Sequence, residues 1–68
     1  MSIAPVRGSE PTQRELEVLA AWRDAGGDLD EAGRLLGISR HTVKNELANI
    51  RARLGVRKTW QAAVRLLA

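Results

Sequence analysis

What most constrains this chain is how often it tells a helix to start and to stop. Thr12-Gln13-Arg14-Glu15 has the form of a capping box, with a threonine oxygen to take a backbone amide of the first turn and a glutamate to reach back. Asp28-Leu29-Asp30-Glu31 repeats the signal, and Ser39 and Thr59 offer two further caps. Between these starts stand Gly26-Gly27, Gly37 and Gly55, residues suited to the left-handed turn that closes a helix. No period-two pattern marks a strand. The punctuation predicts an all-α fold of four short helices with tight turns. The first runs from Thr12 to about Asp24 or Ala25, the second stops at Gly37, the third spans about Arg40 to Leu54, and the last opens at Thr59. Residues 1–11, with Pro5, Gly8 and Pro11, read as a flexible arm, which leaves 12–68 as a single domain.

Each segment carries an apolar face at helical spacing. Leu16, Val18, Leu19 and Trp22 serve the first helix, and Ala32, Leu35 and Leu36 point inward from the second, with Ile38 as a buried plug after it. In the third, Val43, Leu47, Ile50 and Leu54 form one narrow stripe. At roughly 100° per residue, His41, Asn45, Ala48, Asn49 and Ala52 then lie on the opposite side, Lys44 and Arg51 on one flank, and Arg53 on the other. The last helix has two apolar rows, Trp60-Ala63-Val64-Leu67 and Ala62-Leu66, which is more apolar surface than a three-helix core needs. One row is expected to pack inward and the other to pair with a second copy of the chain.

At 68 residues the core is small, and such a chain usually needs a disulfide, a metal or a partner subunit. There is no cysteine, and His41 is the only histidine, so neither a disulfide nor a zinc site is expected. Tight helix packing or oligomerisation remains. A catalytic pocket has little room in one helical layer, and no Ser, Cys or paired carboxylate stands at a helical spacing from His41 to use it as a base. The expectation is no enzyme, no cofactor and no small-molecule substrate. With neither a membrane-length apolar run nor a secretory signal, the chain reads as soluble and cytoplasmic.

The charge is lopsided. Residues 1–37 hold four arginines against seven acids, a net −3, whereas residues 38–68 hold seven cations against Glu46 alone, a net +6. A basic half and an acidic half in one small domain suggest a polyanion-facing surface with the acids kept away from it. The join between the second and third segments fits that picture. Gly33 has no side chain where a helix must cross closely, Gly37 opens the turn, and Val43 locks the next helix in place. A helix-turn-helix is built this way, its second helix held outward toward a major groove about 12 Å wide.

Three stretches carry a family likeness: Thr12-Gln13-Arg14-Glu15-Leu16-Glu17-Val18-Leu19, then Leu36-Gly37-Ile38-Ser39 with Thr42-Val43-Lys44, then Ile50 with Arg53-Leu54-Gly55-Val56. In this order they resemble the LuxR/GerE-type helix-turn-helix domain from Thr12 to about Ala68. The resemblance implies a four-helix effector domain of transcription regulators, in which the third helix reads the major groove and the fourth commonly forms the dimer contact. It places Lys44, Asn45 and Ala48 at base-facing sites and Thr42 near the phosphates. The chain departs from the pattern in several places. Gln13 replaces the usual proline, Glu46 stands where histidine is common, Thr59 where arginine is frequent, and Gly33 where alanine is usual; the Gly26-Gly27 turn is one residue longer than the common form.

Taken together, the expectation is a sequence-specific, double-stranded-DNA-binding transcription regulator acting as a homodimer, with RNA polymerase as a possible further partner. Lys44, Asn45, Ala48 and His41 read bases; Arg40, Thr42, Arg51, Arg53, Arg57 and Lys58 hold phosphates; Trp60, Ala63, Val64, Leu66 and Leu67 make the dimer interface. With Met1 opening the chain and no sensor segment before the motif, a stand-alone regulator of the GerE kind is expected, controlled by abundance, partner or promoter. Two other readings compete. One is a promoter-recognition module like sigma factor region 4, and the other a protein-interaction module whose basic helix grips an acidic partner.

Overall fold

The computed structural model describes residues 10–67, and the first nine residues of the expected arm lie outside these. Four helices follow in order: α1 (Gln13–Asp24), α2 (Leu29–Leu36), α3 (Arg40–Leu54) and α4 (Thr59–Leu67). The described residues form no strand, and none of their helices is long and apolar enough to cross a membrane.

The start signals work as the residue types require. Thr12 Oγ1 accepts from the Glu15 amide at 3.0 Å while Glu15 Oε1 accepts from the Thr12 amide at 3.0 Å, closing the capping box. Asp28 Oδ1 accepts from the amides of Asp30 and Glu31 at 2.9 and 3.1 Å, and Ser39 Oγ from Thr42 at 3.1 Å. Gly37 ends α2 at φ 72°, where a side chain would strain the backbone, and the chain turns directly into α3. α4 begins differently from expectation. Thr59 is its first helical residue rather than its cap, and Gln61 Oε1 reaches back to accept from the amides of Arg57 and Lys58 at 3.1 and 3.0 Å. Those two donors would otherwise be orphaned at the helix start.

The core draws on all four helices: Val18, Leu19 and Ala21 from α1, Ala32 from α2, Val43, Leu47 and Ile50 from α3, and Ala62 from α4. Trp22, Leu36, Ile38, Leu54, Val56, Leu66 and Leu67 pack around it, partly buried. Each fully buried aliphatic side chain, such as Leu19 or Val43, contributes about 1.5–3 kcal/mol. α1 packs against all three other helices, and α3 is held by α1, α2 and α4 at once. The apolar stripe of α3 is consumed by these contacts, so the opposite face must look outward.

Two details of α2 differ from the sequence reading. Leu35, expected inward, is 54% exposed. Two turns of helix present Leu29, Ala32 and Leu36 to the core, and Leu35 falls beyond the edge of that face, with no further element among the described residues to cover it. The close approach at Gly33 comes from the turn rather than from a crossing helix. A Cβ there would lie 2.6 Å from the Ile38 carbonyl oxygen and 3.4 Å from Arg40 N.

Candidate nucleic-acid interface

α3 is pinned along its stripe, and its remaining surface has three parts. The outer face carries His41, Lys44, Asn45, Ala48, Asn49 and Ala52, all exposed. Asn45 Nδ2 lies 3.2 Å from His41 Nε2, one turn away, close enough for the amide to donate to the ring. No acidic side chain stands on this face. It offers an ammonium, two carboxamides, an imidazole and two methyl groups, which are the donors, acceptors and apolar contacts that distinguish base edges.

The first flank is cationic. Lys44 and Arg51, two turns apart, line an open cleft of about 310 Å³ with Trp22, Gly27, Leu29, Leu47 and Thr59. Arg51 Nη1 donates to Thr59 Oγ1 at 2.9 Å, so the hydroxyl expected to cap α4 instead orients an arginine. Arg40 Nη1 lies 3.3 Å from Asp30 Oδ2 in an exposed pair, which one α2 acid forms with one α3 cation. Arg57 and Lys58 are exposed in the turn before α4, and Thr42 is half-buried at the start of α3, its hydroxyl 3.0 Å from Ser39 Oγ.

The second flank corrects one expectation. Arg53, read as a phosphate contact, turns to α1 and donates from Nε and Nη2 to the two carboxylate oxygens of Glu15, each at 2.6 Å. The same carboxylate closes the α1 capping box, so one residue ties the start of α1 to the last turns of α3. Hydrogen bonding to Arg53, outweighing the opposing effect of burial, holds the Glu15 carboxyl below the usual carboxylate range, and Arg53 is correspondingly raised. Beside this pair, Glu46 takes Nε and Nη2 of Arg14 at 2.8 and 3.1 Å. Neither pair was legible in the sequence, because the partners stand 38 and 32 positions apart and no spacing rule links them.

On the far side from α3's outer face, α4 sorts its two apolar rows. Ala62 is fully buried, and Ala63, Leu66 and Leu67, all expected at a dimer interface, pack partly buried against the core. Trp60 and Val64 are 57% and 59% exposed, and with Trp22, Arg23, Ala63 and Leu67 they line an apolar groove of about 380 Å³ between α1 and α4. Arg65 Nη1 donates to the Leu54 carbonyl at 3.2 Å, satisfying an acceptor at the end of α3.

Neither the curated proteins nor the solved structures yield a match to this chain. The family comparison does: the GerE description, bacterial regulatory proteins of the luxR family, matches residues 11–66, from the residue before the cap of α1 to the penultimate residue of α4. That span takes in every fully buried core residue and the whole turn between α2 and α3. The chain therefore belongs to the luxR family of bacterial regulatory proteins, built on a DNA-binding helix-turn-helix of which α2 and α3 are the two helices.

Proposed function

We propose that this protein regulates transcription by binding specific double-stranded DNA sites as a homodimer, with α3 lying in the major groove. The observation that carries the reading is the outer face of α3: it exposes Lys44, Asn45, Ala48 and His41 without an acid among them, and cations border it. Lys44 and Asn45 donate to base edges, Ala48 leaves room for a thymine methyl, and His41 steadies or extends the Asn45 contact. Arg40, Thr42, Arg51, Arg57 and Lys58 grip phosphates and set the register; Arg53 is left out because Glu15 occupies it. Thr59 supports the arrangement by fixing Arg51, which lowers the entropy lost when that side chain meets a phosphate.

Pairing through the row Trp60-Ala63-Val64-Leu67, of which Trp60 and Val64 stand exposed, supplies the second half of the site. A two-fold dimer presents two α3 helices about 34 Å apart, one DNA turn, and so calls for a palindromic operator. The test is selection from a pool of random duplexes, followed by affinity measurements on the enriched sequence across salt. The expected result is an inverted repeat whose affinity falls by orders of magnitude between about 50 and 200 mM salt, as ~6 to 10 neutralised phosphates require. Failure to enrich any sequence, together with salt-independent affinity, would remove the reading.

A further inference from the structure

We propose that Arg14 on α1 is a built-in counter-charge for Glu46, and that DNA affinity depends on this pair staying closed. The inference rests on the DNA-binding reading above. Glu46 is the only acid after residue 37, and it lies at the border of α3's outer face, sharing a small depression of about 140 Å³ with Asn49, Ile50, Arg14 and Glu15. It stands one turn beyond Thr42 on the same flank. An unmasked carboxylate there sits within the ~10 Å screening length of any backbone that α3 approaches, and it opposes every phosphate on that side.

Arg14 removes the opposition by geometry. Its Nε and Nη2 take one carboxylate oxygen each, at 2.8 and 3.1 Å, the bidentate form that holds a guanidinium in place. Hydrogen bonding to Glu46 raises the Arg14 guanidinium further above its ordinary range. The neighbouring acids do not take the two nitrogens that Glu46 holds: Glu15 is occupied by Arg53 and by the Thr12 amide, and Glu17 forms only a longer ion pair, 3.8 Å from Nη1. Both side chains remain partly exposed, 46% for Arg14 and 28% for Glu46, so the pair contributes little to folding. Its effect on a polyanion is larger, because opposite charges at hydrogen-bond distance present a short dipole in place of a full negative charge.

The experiment needs no operator, since the effect is independent of sequence. Fluorescence anisotropy with a labelled duplex of about 24 base pairs and mixed sequence, at about 50 mM salt, reads it directly. Arg14→Ala should weaken binding roughly tenfold, Glu46→Gln alone should tighten it, and Arg14→Ala with Glu46→Gln should return to within about threefold of the parent. A double variant as weak as Arg14→Ala overturns the proposal, because Arg14 would then be touching phosphate itself. So does a weaker Glu46→Gln, which would make Glu46 a support for that contact. If Arg14→Ala is poorly folded by circular dichroism, the sign of the Glu46→Gln effect alone decides. A parent that binds no duplex at low salt overturns the DNA reading and this inference with it, an outcome distinct from binding that ignores the pair.

Discussion

Gly33→Ala exchanges one known gain against one steric loss. In a helix interior the change is worth about 1 kcal/mol in favour of alanine. Here the new Cβ would sit 2.6 Å from the Ile38 carbonyl oxygen, with Ser39 C and Arg40 N at 3.4 Å. Ordinary contact begins near 3.4 Å, and the group in the way is backbone, so the turn must retreat by most of an ångström. That retreat lengthens the Ile38 amide to Gly33 carbonyl bond, now 2.9 Å, and disturbs the approach of Arg40 into α3. Overpacking of this kind costs about 1–3 kcal/mol, and a weakened hydrogen bond adds about 0.5–1.5 kcal/mol. The net is a destabilisation of about 0.5–3.5 kcal/mol, a large share of what a core this small supplies. Thermal unfolding followed by far-UV circular dichroism should show a midpoint lower by roughly 2–28 °C. Gly37→Ala is the companion: nothing lies within 4 Å of its Cβ, so its cost of about 1 kcal/mol comes from the positive φ alone. A Gly33→Ala midpoint equal to or above the parent's would refute the steric argument and leave helix propensity as the dominant effect.

Three further outcomes are expected. The Glu15 carboxyl is depressed in the folded state, so its contribution is fully present above the unfolded value of about 4.3 and is lost as pH falls through the lower folded value; the unfolding midpoint should drop below about pH 4, and Glu15→Gln should flatten that part of the profile. Lys44→Ala and Asn45→Ala should each relax preference at particular base pairs by roughly 1–3 kcal/mol, whereas Arg51→Ala should weaken all duplexes alike, as repeat selections with each variant will read out. Leu66→Glu should unfold the domain, and Val64→Glu should keep the fold but reduce the number of chains that sediment with a palindromic duplex; a Val64→Glu variant with the parent's stoichiometry would place the pairing surface elsewhere.

The helices and the outer face of α3 were determined by the sequence alone, because their physics is local. A capping threonine and its glutamate are three residues apart, a glycine stop acts where it stands, and the Val43-Leu47-Ile50-Leu54 stripe fixes the opposite face by rotation. Tertiary structure decided everything that depends on which helix lies beside which. The assignment of Arg53 to Glu15, the masking of Glu46 by Arg14, the use of Thr59 by Arg51 and the exposure of Leu35 all follow from α1, α2 and α4 closing around α3. The two apolar rows of α4 were visible as rows, yet only packing against the core buried Ala62 and left Trp60 and Val64 exposed. A charged or amphipathic side chain reaches several ångströms from its own backbone, so its partner is set by the elements that surround it, and those contacts leave no periodic trace along the chain.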